Sequence, residues 1–346
     1  MTSTPLPEAD EWGAPLVDSR PSPALERLFR RRTGLVPAVA PYVAPHPWAY
    51  RPFLFLMNPE LRAIDEQLGA KICFVVARDN ACRFCYGSFR SFLRVAGYTA
   101  TELDRLEHEL GRTHPNGAER RALQFAVEIS QGRLDADESL SALRATGYGS
   151  KAIREIVGVA VMAALINRVA TMLAVPVNEE LETLTSRWLF VVLRPVVRAM
   201  LNGWKSVASP GMPPLQADAV DGALGTWIRP LRGTCVGHLL HDLTTQWIRE
   251  GTALPLRTKL FMLSVVARGL GDAQLEERTI ALLSDRLNGD ITRRDAKETI
   301  DHLQGDTVGD RTAALLQLAR ESIWYEAGHL QTTVRSHTRE IGRAHV

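Results

Sequence analysis

Leu61-Arg-Ala-Ile-Asp-Glu-Gln-Leu-Gly-Ala-Lys-Ile-Cys-Phe-Val-Val-Ala-Arg-Asp-Asn-Ala-Cys-Arg-Phe-Cys-Tyr-Gly87 is the stretch that decides the fold. Leu61, Ile64, Leu68, Ile72 and Val75/Val76 recur at intervals of three and four, the period of a helix with one buried face. The period stops at Arg78-Asp79-Asn80. A second helix is expected there, with Asp79 or Asn80 as its cap and Cys82 in its first turn. Cys82 and Cys85, three apart, then share a helical face, and their sulfurs can approach bonding distance. The helix N-terminus with Arg78, Arg83 and Arg90 nearby predicts a thiolate. A thiolate attacks a peroxide or a disulfide, and a neighbouring thiol resolves the resulting sulfenic acid. The alternative is a pair of small residues in a helix core. Zinc would need two more ligands, and there is no second cysteine pair. A c-type haem attachment would need His where Tyr86 stands. No metal and no cofactor is expected, and Cys73 reads as a core thiol.

Outward from this stretch the helical period persists. Gly97-Tyr98-Thr99 closes the second helix, and Thr101–Asp104 reads as a capping box that opens the next. Further helices are expected over Ala118–Gln131, Asp135–Thr146, Ser150–Leu173 and Asn178–Leu201. Beyond them the pattern predicts Cys235–Arg249, Leu256–Arg268, Gln274–Leu287, Thr292–Leu303 and Arg311–Val334. The fold class is therefore all-α. Eleven of the nineteen prolines fall in the first 59 residues. Residues 1–23 read as a mobile arm, and residues 24–59 as short helices broken at Pro37, Pro41, Pro45, Pro47 and Pro52. Residues 24–201 form a first domain, 202–222 a linker rich in Gly and Pro, and 223–340 a second domain. The tail Ile341-Gly-Arg-Ala-His-Val346 matches what a common sequencing adapter encodes and is set aside as a scar.

The 346 residues are 45% hydrophobic and 23% charged, with a formal net charge of +2. That composition excludes a wholly disordered chain and a strong basic field, so no nucleic-acid partner is expected. Four cysteines are too few for a disulfide scaffold. The first residues carry no basic and apolar leader. Ile156–Ile166 is too short to span a bilayer, and Trp188–Met200 is interrupted by Arg194, Pro195 and Arg198. A cytoplasmic protein with no membrane partner is expected. The halves also echo one another: Phe74-Val-Val-Ala-Arg78 matches Ser264-Val-Val-Ala-Arg268, and Asp137–Leu143 resembles Lys297–Leu303. Two pseudo-repeated helical halves are expected, with Gly271-Asp272 where the first copy has Cys82.

Leu61–Val177 resembles the carboxymuconolactone decarboxylase/alkylhydroperoxidase AhpD-like superfamily. The resemblance rests on the helix ending Val75-Val-Ala-Arg78, then Asn80-Ala-Cys-Arg-Phe-Cys-Tyr86 and Gly97-Tyr98. Ala118–Ile129, Leu143-Arg-Ala-Thr-Gly-Tyr148 and Glu155–Leu173 with Asn167-Arg168 continue it. Arg32-Thr-Gly-Leu-Val-Pro37 is similar to the lead-in of peroxidase-related members. The resemblance implies an AhpD-like all-helical fold, with a degenerate second copy, that assembles as a homo-oligomer. It implies an oxidoreductase in which Cys85 attacks a hydroperoxide or disulfide substrate and Cys82 is the exchange partner. The reductant it implies is a dithiol protein, such as a lipoylated one. The family pattern also has a Glu twelve residues before the first cysteine and a His four after the second. Here those positions hold Ala70 and Phe89, so the implied peroxidase is slow by about 10²–10⁴-fold.

Tyr86, Ser88 and Arg90 are local substitutes for that relay, or ordinary packing residues. Cys235-x2-His238-x2-His241 could bring His238 and His241 to the cysteine pair, or form the polar edge of a helix. The spacing is poor for a metal. Asn167 and Arg168 inside an apolar helix read as a helix-to-helix hydrogen bond or a substrate contact. Arg30-Arg31-Arg32 caps a helix end. Trp188-Leu-Phe-Val-Val-Leu193 reads as an oligomer interface or a buried helix. Two further functions stand beside the redox reading: a non-catalytic oligomeric binding protein, and a carboxymuconolactone decarboxylase-type enzyme on a small ring acid.

Overall fold

A computed structural model describes residues 6–8, 11–57, 61–110, 117–132, 136–187, 190, 192–196, 199, 228–248, 254–286, 291–304 and 308–343. Helix is the dominant regular structure of these residues, with no strand among them. The chain divides into two units. One comprises Met1–Leu215 with Leu231–Leu239, the other Gln216–Pro230 with Leu240–Val346. The expected linker 202–222 lies outside the described residues. The first turns of the Cys235 helix belong to the first unit, so the second unit is not simply residues 223–340.

The first unit begins with α1 (Pro23–Thr33), α2 (Ala40–Val43) and α3 (Pro47–Met57). Ser22 caps α1 and Gly34 closes it in the left-handed region, with Arg30–Arg32 in the last turn opposing the helix dipole. The prolines break the segment as expected except Pro52, which lies inside α3. The expected mobile arm is tied down at residues 12–20. The Trp12 indole is buried and donates to the Val175 carbonyl at 2.8 Å. The Leu16 and Arg20 amides bond the Leu173 and Pro41 carbonyls. An indole that buries its ring and satisfies its N–H anchors a segment strongly.

The hub is α4 (Glu66–Asp79), which packs against α5 (Arg83–Ala96), α7 (Ala118–Ser130) and α9 (Ser150–Leu173). Ten consecutive residues of α4, Leu68–Ala77, are buried. Its burial is therefore wider than the single apolar stripe that the sequence shows. α6 (Ala100–Leu110) and α8 (Ala136–Ala145) lean on α7. The capping box of α6 is Thr99 with Glu102, two residues earlier than expected: each side chain bonds the other's backbone amide, at 3.1 and 2.7 Å. α9 is long enough to cross a membrane, at a mean hydropathy of 2.0 over its most apolar window. Two-thirds of that window is buried inside the fold. Gly158 of α9 faces Val236, and an added Cβ would lie 2.9 Å from that side chain.

The expected helix Asn178–Leu201 is interrupted. α10 (Glu179–Ser186) is capped by Asn178 and ends at Arg187 in extended backbone. Past it, Phe190 is buried, whereas Val192, Leu193 and Val196 are exposed. α10 packs on α5.

α11 (Cys235–Ile248) leads out of the first unit. In the second unit, α12 (Leu256–Gly269) packs on α13 (Ala273–Arg286), α14 (Arg293–His302) and α15 (Asp310–Trp324). Their core holds Leu260, Phe261, Val265, Ile280, Leu283 and Leu316, with Ile300 and Ala319 beside them. The expected single helix Arg311–Val334 is two. Tyr325 turns left-handed at φ +30°, and α16 (Ala327–Arg343) starts after it.

The α4–α5 and α12–α13 turns are built alike. In the first, the Asn80, Ala81 and Cys82 amides bond the Val76, Arg78 and Ala77 carbonyls at 3.0, 3.2 and 3.0 Å. In the second, the Leu270, Gly271 and Asp272 amides bond the Val266, Arg268 and Ala267 carbonyls at 3.0, 3.0 and 2.9 Å. Both are Schellman closures, with the left-handed residue at Ala81 and Gly271.

Candidate functional site

The cysteine pair sits on the α4–α5 turn. Asp79 and Asn80 do not cap α5 as the sequence suggests; Asn80 is the C-cap of α4. Cys82 is the N-cap of α5, with extended backbone and no side-chain capping bond. The comparable turn in the second unit has Asp272 there, whose carboxylate accepts from the Leu275 amide at 2.9 Å. A thiol in place of a capping carboxylate costs about 1 kcal/mol of helix stability. A left-handed alanine in place of glycine adds a comparable cost. The turn thus carries two local costs that its counterpart in the second unit does not.

Cys82 is fully buried and Cys85 is 1% exposed. Neither is in a disulfide. Burial pushes the Cys85 thiol well above its ordinary pKa, and its contact with Cys82 and the nearness of Cys73 add to the rise. Cys73 is likewise raised by burial. Three thiols therefore crowd the α4–α5 interface, where the sequence suggests two and a core residue. At Cys85 this burial works against the expected thiolate. The three arginines that were to stabilise it are engaged elsewhere. Arg83 forks onto Glu182 of α10 at 2.8 and 2.6 Å. Arg90 bonds Glu107 and Asp104, and Arg78 pairs with Glu107 at 3.4 Å.

Tyr86 stacks on Phe74 with ring centroids 5.3 Å apart. Its hydroxyl donates to Glu107 Oε1 at 2.8 Å and accepts from Arg90 at 3.0 Å. Burial first, and then the Glu107 charge, raise the phenol's pKa, so it stays a neutral donor. Tyr86 and Arg90 therefore join one network next in the chain to Cys85. Ser88 is half-buried on the same helix. Glu107 on α6 was not found from sequence, since an acidic residue on an exposed helix carries no signal of its long-range partner.

The structure places His238 and His241 on α11. The groups acting on Cys85 are Cys82 and Cys73, with no histidine among them. Cys235 instead lines a cavity of about 10 Å³ with Phe55, Leu61, Arg62, Glu155 and Thr234. His241 lies 4.0 Å from Asp242 on its own helix. Among the described residues no cluster of three or more His, Cys, Asp or Glu could hold a metal. Asn167 is fully buried in α9. Arg168 bonds the Ala164 carbonyl one turn back at 3.2 Å, which favours a structural role over substrate contact.

The sequence also hid Lys71, one residue after Ala70 on the buried side of α4. Its ammonium bonds both oxygens of Glu119 at 2.7 Å and lies 4.9 Å from the Tyr98 ring. Burial alone would lower its pKa; the bonds to Glu119 and Tyr98 outweigh that and raise it. No protein-family profile matches the chain, and no curated protein matches it.

Proposed function

We propose that this protein is a thiol–disulfide oxidoreductase of the alkylhydroperoxidase type, working through Cys85 and Cys82. The observation that carries the reading is the placement of a thiol at an uncapped helix start, beside a second buried thiol and after a left-handed alanine. In the proposed cycle the Cys85 sulfur attacks the terminal oxygen of a hydroperoxide. The O–O bond breaks, Cys85 becomes a sulfenic acid, and the leaving alkoxide takes the proton that the Cys85 thiol gives up and departs as the alcohol. Cys82 then attacks that sulfur, water leaves, and a Cys82–Cys85 disulfide forms. A dithiol protein reduces it, its own thiols being oxidised in turn. No group replaces the absent Glu/His relay at the sulfurs: the Tyr86 hydroxyl is spent on Glu107 and Arg90, so the proposed turnover is slow.

The burial and raised pKa of Cys85 favour a second reading, an inert pair on a helical binding protein. Differential alkylation and intact mass before and after one equivalent of hydroperoxide separate the two. The redox reading expects Cys82 and Cys85 to vanish together as one disulfide and return with dithiol. Four reduced thiols under excess peroxide overturn it and leave the binding reading.

A further inference from the structure

The face of α5 turned away from the sulfurs is held by α10. Arg83 and Gly87 lie one turn apart and so share a face, whereas Cys85, two residues from each, lies nearly opposite. Arg83, the residue inside the Cys-x-x-Cys motif, makes a two-pronged ion pair with Glu182, and both side chains are largely buried, at 16% and 25% exposure. Glu182 reaches Arg83 by crossing Gly87: a Cβ at that glycine would meet the carboxylate Oε1 at 1.7 Å. Lower on the same face Thr185 bonds Ser91 at 3.1 Å, and Arg94 bonds the Thr185 carbonyl at 3.3 Å. Around the first turn of α5 the usual local support is missing, since Cys82 makes no capping bond. A helix end without a cap opens at low cost unless tertiary contacts hold it.

We propose that the Arg83–Glu182 pair is a clamp that presses the first turn of α5 onto α4, and that its release is the motion which exposes Cys82 and Cys85 to a protein-sized partner. The inference rests on the redox reading above for its purpose, and on the geometry alone for its existence. Clamped, both sulfurs sit at an interface that a small neutral oxidant reaches by ordinary breathing. A protein dithiol must bring its own sulfur into line with the Cys82–Cys85 bond, which requires the first turn to lift. The clamp therefore divides the cycle by substrate size, with oxidation in the closed state and reduction in the open one. Glu182 acts through Arg83 and is a positioning residue.

The test is the rate at which each cysteine reacts with N-ethylmaleimide and with a polyethylene-glycol maleimide, read by peptide mapping, in the full chain without peroxide. Glu182→Gln is expected to speed bulky labelling of Cys82 and Cys85 by about tenfold, with a smaller gain for N-ethylmaleimide and none at Cys235. Gly87→Ala is expected to act in the same direction, because its methyl displaces the carboxylate. Arg83→Glu is expected to open the turn, and Arg83→Glu with Glu182→Arg to close it again. Unchanged labelling in Glu182→Gln, a parallel rise at Cys235, or no rescue by the charge swap overturns the clamp. If peroxide leaves all thiols reduced while Glu182→Gln still exposes the pair, the redox reading falls and the clamp stands. If the disulfide forms while labelling ignores Glu182, the reverse holds.

Discussion

At the scale of single residues, burial opposes ionisation of the Cys85 thiol. The Cys85 pKa is raised by burial and by its thiol neighbours, whereas in an unfolded chain it ionises near about 8.5. Below that pH both states hold the proton and the contribution to stability is complete. Above it the unfolded chain releases the proton and the folded chain does not, so stability falls by about 1.4 kcal/mol per pH unit until the folded pKa is reached. Urea unfolding at about pH 8 and about pH 10 is expected to show this slope. Cys85→Ala is expected to flatten it by one thiol's share while Cys73 keeps the remainder. Equal slopes in the two proteins would show that Cys85 is not a protonated thiol in the folded state. The cysteines themselves were legible because the residue type is rare and the spacing local. Their environment was not. Glu182 lies 99 residues from Arg83, and nothing in the local spacing of α5 points to it. The arginines read as thiolate partners because sequence shows proximity along the chain, and not which carboxylate a guanidinium will fork onto.

The two turns that open α5 and α13 allow the element-scale argument to be tested without touching the cysteines. Gly271 has φ +72°, and a Cβ there would meet nothing within 4 Å. Any effect of Gly271→Ala is therefore backbone strain alone, and a loss of about 1 kcal/mol is expected in chemical denaturation. Ala81→Gly removes the same strain from the first turn but also removes a buried methyl, so its gain is expected to be smaller. A neutral Gly271→Ala would mean that the left-handed residue costs nothing in this closure, and the argument from local cost at the cysteine site would weaken with it. Most elements were legible from the period of three and four; α7, α8 and α9 begin and end within a residue or so of expectation. The breaks at Arg187 and Tyr325 were not. Neither has Gly or Pro beside it, so no local breaker marks either end.

Across the first unit, ties join segments far apart in the chain, and Glu155 makes one of them. From the first turns of α9 its carboxylate accepts the Ala63 and Ile64 amides at 2.8 and 3.0 Å and the Arg62 amide on both oxygens, at 3.0 and 3.1 Å. Three successive amides converging on one carboxylate form a nest, an arrangement suited to negative charge. The nest fixes the chain just before Asp65 caps α4 through the Leu68 amide at 2.7 Å. It thus sets where the hub helix begins. The sequence marks Glu155 as the start of an apolar helix and offers no reason for its charge, because backbone amides leave no trace in residue types. Glu155→Ala leaves all three amides to water in a partly exposed loop and is expected to cost about 2–3 kcal/mol. Glu155→Gln keeps an acceptor oxygen but loses the charge, and is expected to cost about half as much. Urea midpoints with unchanged m-values would locate the effect in the folded state. If Glu155→Ala lies within about 0.5 kcal/mol of wild type, the amides are equally well served by water, and the approach to α4 is set instead by the burial of Ile64 and Leu68.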